Sequence, residues 1–431
     1  MRIEPAGALV GHIAVPGDKS ISHRAVLIGA LSDGETHVRG FGRSADTEST
    51  IAAARALGVE VEELGDDELV VRGAGLRGLR APDAPIDCGN AGTLMRLLAG
   101  ILAGQEGQFE LTGDESLRAR PMDRVAEPLK RMRARITTNK GLPPIVVQGT
   151  DALVGIDYAL PMASAQVKSA ILFAGLTGQV PVTITEPYRS RDHTERLFVH
   201  LGLGIHERNG AIVYEPSGHS NIPSFQLSVP GDPSSAAFLV AAAVLAEGGE
   251  LLVENVGINP TRTGFLVVLE RMGAHVERVN LRDEGGEPVA DLVVRPAHLT
   301  ATEVTAAEIP TLVDEVPVLA VLASRARGAT VFREVGELRV KESNRLDLIA
   351  ANLRAVGVNA EAQNNDLHVE GSERPPRGKV ETASDHRLAM AFAVLGTVHG
   401  ASVRLSERKS VAISYPSFFT DLKRIRADVQ T

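Results

Sequence analysis

Cations recur beside small polar residues at the starts of apolar, helix-like stretches. They are Lys19 and Arg24, Arg96 and Arg120, Arg189 and Arg191, then Lys341 and Arg345, and finally Arg387. A helix start presents backbone N–H groups and the positive end of the dipole, which together hold phosphate or carboxylate. Any one of these cations also reads as a solvated surface charge or a cap. Their recurrence at equivalent places, in a chain of net charge −9, predicts a small ligand with several negative charges engaged from both halves of the chain. Carboxylates able to move protons are fewer. Asp314-Glu315 falls inside an apolar stretch, between Leu312-Val313 and Val316 to Leu319, where an unpaired charge is costly. Glu342 lies between Lys341 and Arg345, whose charges favour its ionised form. Asp385-His386 stands directly ahead of Arg387, where Asp385 also reads as a helix cap.

Other chemistries lack their residues. Gly17-Asp18-Lys19-Ser20 resembles part of a P-loop, but the full spacing is missing. No histidine pair at i, i+4 and no Cys/His cluster suggests zinc, and no Gly-x-Gly-x-x-Gly follows a strand. No zinc site and no Rossmann cofactor site is therefore expected, and no Gly-x-Ser-x-Gly elbow for a serine nucleophile is present. The acidic balance, 45 Lys and Arg against 54 Asp and Glu, argues against nucleic acid as a partner. The apolar run that contains Phe238 to Ala246 is too short to span a bilayer. No signal-type segment opens the sequence, and the single Cys88 cannot form an internal disulfide, so a cytoplasmic setting is expected.

The elements that must position these residues repeat. Six segments run from small polar residues into an Ala/Leu/Val-rich helix ending at Leu31, Leu102, Leu176, Leu245, Leu322 and Leu395. The gaps are 71, 74, 69, 77 and 73 residues. Four of the segments are Asp87 to Leu102, Pro161 to Leu176, Ile309 to Leu322 and Thr382 to Leu395. The other two open with near-identical copies, Val15-Pro16-Gly17-Asp18 and Val229-Pro230-Gly231-Asp232. After each helix come a turn, a short alternating strand such as Val182 to Ile184, an amphipathic helix such as Thr263 to Met272, and closing strands. Each repeat is therefore strand, helix, strand, helix, strands. Three such units can bury their apolar helices together, so six predict an α/β protein of two similar domains. Residues 16–230 form the first; residues 1–15 and 231–431 form the second. Pro16-Gly17 and Pro230-Gly231 are the expected hinges, and the interdomain cleft is the expected ligand site.

The motifs resemble the 5-enolpyruvylshikimate-3-phosphate (EPSP) synthase family, the 3-phosphoshikimate 1-carboxyvinyltransferases. They are Gly17-Asp18-Lys19-Ser20-Ile21-Ser22-His23-Arg24, Gly89-Asn90-Ala91-Gly92-Thr93-Leu94-Met95-Arg96, Arg120-Pro121-Met122, Pro161-Met162-Ala163-Ser164-Ala165-Gln166-Val167-Lys168-Ser169, Arg191-Asp192-His193-Thr194-Glu195, Arg339-Val340-Lys341-Glu342-Ser343 and Asp385-His386-Arg387. They fall in family order over essentially the whole chain.

The resemblance implies two domains of three βαβαββ units each, as inside-out α/β barrels, and no cofactor. It implies a monomer whose partners are small anionic substrates. The implied reaction moves the enolpyruvyl group of phosphoenolpyruvate to the 5-hydroxyl of shikimate 3-phosphate, through a tetrahedral intermediate, on the route to aromatic amino acids. Shikimate 3-phosphate is then expected on Lys19, Ser20, Arg24, Ser164, Ala165, Gln166, Arg191, Asp314 and Lys341. Phosphoenolpyruvate is expected on Lys19, Gly92, Arg120, Gln166, Arg345 and Arg387. Asp314, Glu342 and Lys19 are the expected catalytic residues. Two positions depart from many members: Ala165 stands where they have Ser, and Ile413 where they have Lys. Both departures resemble a subgroup that includes glyphosate-tolerant members, whereas Gly92, which leaves room for that inhibitor, is retained. The sister enzyme that uses UDP-N-acetylglucosamine usually has a Cys in the loop matching Gly113 to Arg120, and none is present.

Overall fold

The computed structural model describes residues 1–216 and 221–427. The chain forms two compact units. One contains Gly17–Val229 with Asp283–Glu287; the other contains Met1–Pro16, Pro230–Arg282 and the chain from Pro288 on. Three buried helices form the core of each. In the first unit they are Lys19–Ala30, Gly92–Ala103 and Ala165–Gly178. In the second they are Pro233–Val244, Val316–Ala323 and His386–Gly396, which pack pairwise on one another. Ala and Leu favour the helix, and apolar side chains on every face leave burial as the stable outcome. Small residues let the helices approach closely. A Cβ on Gly100 would sit 2.1 Å from the Ala170 backbone oxygen, so the contact between Gly92–Ala103 and Ala165–Gly178 requires glycine there.

Small mixed sheets share one plan. An inner helix joins two parallel strands, as Gly92–Ala103 joins Ile86–Asp87 to Gln108–Thr112. A hairpin then adds two antiparallel strands, here Leu142–Gln148 and Arg135–Asn139. In Leu142–Gln148 every second residue is buried (Pro143, Ile145 and Val147), the alternation of a strand with one face on a core. Between the parallel strand after the inner helix and the hairpin runs a second helix: Ala45–Ala56, Asp123–Arg131, His193–His200, Gly264–Arg271 and Arg345–Ala355. Phe418–Arg424 holds the same place after Ser402–Leu405 in the sixth unit. Gly264–Arg271 lies within one residue at each end of the amphipathic helix expected at Thr263 to Met272.

Two strands are exchanged. Gly11–Ala14, just ahead of the first inner helix, pairs in parallel with Leu251–Gly257. The place beside Ser32–Arg39 is filled instead by Ile222–Pro223 and Gln226–Ser228. Each exchange passes through one copy of Val-Pro-Gly-Asp.

Two expectations need correction. In the fifth segment, Ile309 to Leu322, Asp314-Glu315 was expected inside the apolar helix. Residues Ile309–Thr311 and Val313–Glu315 are instead short 3₁₀ turns, and the α-helix covers Val316–Ala323. Pro310 and Pro317 lack the N–H that a continuous helix would need, and Pro317 occupies the first turn, where none is required. Asp314 and Glu315 therefore stand at a helix start rather than inside a helix. Among its described residues the sixth unit also lacks the expected closing strands. Among the described residues Ser402–Leu405 pairs as a strand with Arg377–Val380 alone, while Arg2 makes a single antiparallel bridge to Arg404. After Phe418–Arg424 the chain meets Leu9 through Arg426 rather than forming a hairpin.

Candidate active site

In the unit containing Gly17–Val229, the predicted residues gather at three inner-helix starts. Asp18 caps the first by accepting from the Ile21 N–H at 3.0 Å. Lys19 Nζ lies 2.7 Å from Asp46 Oδ2. Arg24 is buried, and its guanidinium donates to Thr194 Oγ1 (2.6 Å), the Ser20 carbonyl (2.8 Å) and Ser169 Oγ (2.8 Å). None of these partners is an anion, and burial lowers its pKa to about 10 despite the fields of Glu195 and Asp18. The neighbouring His23 is held neutral, its pKa pushed well down by burial and then by Lys19 and Arg24.

The second helix start, at Gly92, has no side-chain cap. Arg96 Nη1 donates to Gln166 Oε1 at 2.7 Å, and Gln166 Nε2 to Thr93 Oγ1 at 2.9 Å. Arg120 Nη2 donates to Asn90 Oδ1 at 2.7 Å, and Asn90 in turn to Asp114 at 2.7 Å. The absence of a side chain on Gly92 makes room for both guanidinium groups. A Cβ there would lie 2.8 Å from Arg96 Nη1 and 3.3 Å from Arg120 Nη1. At the third start Ser164 caps through the Val167 N–H, with Ala165 as the first helical residue.

Arg191 is half-buried on a loop held by a group that sequence reasoning passed over. Lys168 is fully buried, with Nζ 3.1 Å from Glu186 Oε1 and 2.6 Å from Glu195 Oε1. Glu186 also accepts from the Ser190 N–H (3.0 Å) and hydroxyl (2.6 Å), next to Arg191. Burial raises the Glu195 pKa against the pull of Lys168. His193 Nδ1 lies 2.7 Å from Glu287 Oε1, a partner 94 residues away in sequence. Arg189 is exposed and pairs with Glu207 at 3.3 Å, so it reads as a surface charge.

In the other unit a second cluster surrounds Arg345, whose side chain is 1% exposed. Its Nε and Nη2 donate to the two oxygens of Asp385 (2.8 and 3.2 Å), and Nη2 also lies 2.7 Å from Glu342 Oε2. Its Nη1 has no hydrogen-bond partner among the described residues; Asp314 Oδ1 is 3.6 Å away. Lys341 Nζ lies 3.7 Å from the same Asp314 oxygen and 3.2 Å from Glu337. Arg387 Nη1 donates to the Asp314 carbonyl at 3.1 Å. Asp385 also caps its helix through the Arg387 N–H, so cap and ion-pair partner are one residue. Burial acts to raise the Asp385 pKa, but Arg345 outweighs it and holds the carboxyl below its usual value. Arg345 is held above its usual value, its carboxylate neighbours outweighing burial.

The arrangement can bind anions through guanidinium edges and can offer two carboxylates, Asp314 and Glu342, on either side of one arginine. Among the described residues no group of three or more His, Cys, Asp or Glu is placed to hold a metal ion, and no helix is long and apolar enough to cross a membrane. Cys88 is fully buried, and burial, followed by the charge of Asp87, raises its thiol pKa. A thiol-reactive chromogen at about pH 8 is therefore expected to label no cysteine in the native protein and one per chain after unfolding, since the thiolate is the reactive form. Rapid labelling of the native protein would contradict this burial.

A family model for EPSP synthase (3-phosphoshikimate 1-carboxyvinyltransferase) matches residues 3–422. A 3-phosphoshikimate 1-carboxyvinyltransferase of Geobacter metallireducens is 44% identical over 427 residues, 99% of each chain. One of Acidithiobacillus ferrooxidans is 47% identical over 416 residues, 96% of this chain and 95% of the relative. A structure of the EPSP synthase of Acinetobacter baumannii superposes with a TM-score of 0.87 at 39% identity, covering 99% of this chain and 98% of that one.

Proposed function

The chain belongs to the EPSP synthase family and has that family's 3-phosphoshikimate 1-carboxyvinyltransferase activity, and from that premise we propose how its residues divide the work. The observation that carries the proposal is Arg345: one buried guanidinium lies between Glu342 at 2.7 Å and Asp314 at 3.6 Å. The reaction needs two proton-transfer sites, one for oxygen and one for carbon. Asp314 takes the proton of the shikimate 3-phosphate 5-hydroxyl as that oxygen bonds to C2 of phosphoenolpyruvate. Glu342 gives a proton to C3 in the same addition. Removing a proton from C3 afterwards re-forms the double bond as the C2–O bond to phosphate breaks. Lys19 supplies positive charge to the oxygens involved.

The binding roles follow the family motifs and the charges that they carry. Lys19, Ser20, Arg24, Ser164, Ala165, Gln166 and Arg191, with Asp314 and Lys341, hold shikimate 3-phosphate. Arg24 does so by fixing the Ser20 carbonyl and thereby the helix start beside Lys19, consistent with its internal hydrogen bonds. Lys19, Gly92, Arg120, Gln166, Arg345 and Arg387 hold phosphoenolpyruvate, whose carboxylate and phosphate suit guanidinium forks. This reading requires residues 16–230 to act on the same substrates as residues 1–15 and 231–431. Pro16-Gly17 and Pro230-Gly231 would serve as hinges, and each half would be an inside-out barrel of three units. Closure would exclude water from the intermediate. One chain carries every residue required, which supports a monomer, and the buried lone thiol suits the cytoplasm.

The test is phosphate release from phosphoenolpyruvate with shikimate 3-phosphate, compared with UDP-N-acetylglucosamine as acceptor. Release with the first acceptor alone is expected, and release only with the second would overturn the assignment. Gly92→Ala probes the donor site. The added methyl must displace Arg96 and Arg120, so KM for phosphoenolpyruvate is expected to rise about tenfold, the worth of one charge-assisted hydrogen bond. KM for shikimate 3-phosphate should change less than about twofold, because neither displaced arginine is assigned to that substrate. An unchanged donor KM would remove Gly92 from that site.

A further inference from the structure

The second Val-Pro-Gly-Asp copy takes no part in the contacts above. In the first copy the residue after the capping Asp18 is Lys19, a cation. In the second the residue after the capping Asp232 is Pro233, so that helix start offers no side-chain charge to a substrate. We propose that this segment instead positions Arg387 for the phosphoenolpyruvate donor, acting through Ser234 and Glu315, and that Glu315 is the positioning residue. The inference rests on the reading that Arg387 binds the donor.

The hydrogen-bond directions support it. Arg262 Nη2 donates to Asp232 Oδ1 at 2.9 Å and to Ser234 Oγ at 2.8 Å. Arginine has no acceptor, so the single hydroxyl proton of Ser234 is free to point elsewhere. It goes to Glu315 Oε1, with which Ser234 makes a short hydrogen bond. That same Glu315 oxygen lies 3.5 Å from Arg387 Nη1. Arg387 Nη1 also donates to the Asp314 carbonyl at 3.1 Å. The turn Val313–Glu315 therefore grips one guanidinium nitrogen twice, by the carbonyl of one residue and the carboxylate of the next. Arg387 Nη2 is held less closely, with Asp314 Oδ2 4.0 Å away. Fixing Nη1 aims Nη2, and it does so from the turn that carries Asp314. Glu315 is itself 1% exposed, and its Oε2 has no hydrogen-bond partner among the described residues. A carboxylate buried in that way is compensated by Ser234 and Arg387 together.

The experiment measures both KM values, kcat and thermal stability by phosphate release and calorimetry for Glu315→Gln, Ser234→Ala, Arg387→Lys and the Glu315→Gln/Arg387→Lys pair. Glu315→Gln keeps the shape and an acceptor for Ser234 but loses the charge that holds Arg387. It is expected to raise KM for phosphoenolpyruvate about 10- to 100-fold and to leave KM for shikimate 3-phosphate within about twofold. Ser234→Ala should raise the donor KM by a smaller factor, about 3- to 10-fold, and decides the matter if Glu315→Gln does not fold. In the double variant the donor effect should fall well short of the product of the single effects, because one residue acts through the other. Equal changes in both KM values, or independent effects in the double variant, would overturn the proposal and leave Glu315 as a purely structural group. An unchanged donor KM in Arg387→Lys would instead remove the reading of Arg387, and the positioning role with it.

Discussion

Replacing Glu342 by Gln is expected to lower turnover by about 10²- to 10⁴-fold, the range for losing a general acid–base group. Affinity for shikimate 3-phosphate should stay within a few-fold. The substitution keeps size and shape but cannot exchange a proton at carbon. It also spares the surroundings. Arg345 retains both oxygens of Asp385 at 2.8 and 3.2 Å, and Asp314 at 3.6 Å, so its buried charge stays compensated. The fold should therefore survive, and the loss should appear in kcat rather than in the melting temperature. Rapid-quench measurement of one turnover, with separate titration of shikimate 3-phosphate binding, distinguishes the two. A variant with near-normal turnover would take Glu342 out of the proton path. One that loses shikimate 3-phosphate affinity in step with turnover would make it a binding residue.

What could be read from the sequence, and what could not, follows from the range of each interaction. The six inner helices were legible because burial on every face writes itself as an unbroken Ala/Leu/Val run, repeated near every 72 residues. The second helices were legible from their one wet face. The start of the fifth inner helix was not legible, because apolar residues stand on both sides of Asp314-Glu315 while Pro310 and Pro317 lack the N–H groups that a continuous helix would need. Short motifs also marked Lys19, Arg120, Arg345 and Arg387. Partners distant in sequence left no local signal. Nothing near Lys168 announces that Glu186 and Glu195 will neutralise it, and nothing near His193 points to Glu287. Glu315 was noticed only as one of two acids in an apolar stretch. Its use depends on Ser234, 81 residues earlier, which a linear reading cannot join to it. Nothing in the motif around Arg24 announces that its guanidinium will donate to Thr194 and Ser169, far along the chain.

Arg345→Met is expected to abolish turnover and to lower stability by about 3–5 kcal/mol, because it removes the cation from a buried ion pair and leaves the carboxylates. Asp385 is the most affected, since its side chain is fully buried and the Arg345 fork spans both its oxygens. The pH dependence carries the distinguishing sign. In the native protein Arg345 overcomes burial and holds the Asp385 pKa below its unfolded value. That contribution to stability is complete above about pH 4, the unfolded carboxylate range, and is lost as pH falls through the lower folded value. Without Arg345 the direction reverses. Burial alone raises the folded pKa, so the variant takes up a proton on folding and gains stability as pH falls. The stability gap between the native protein and Arg345→Met should therefore narrow from pH 8 toward pH 5, by up to about 1.4 kcal/mol per pH unit for one proton. Urea unfolding across that range measures it. Arg345→Lys, which restores the charge without the fork, should recover most of the stability but little of the turnover, because a point charge cannot bind Asp385 and a donor carboxylate side by side. A gap that stays constant with pH would mean that the charge of Asp385 is not what Arg345 compensates. Lysine activity near that of arginine would mean that the site needs the charge but not the fork.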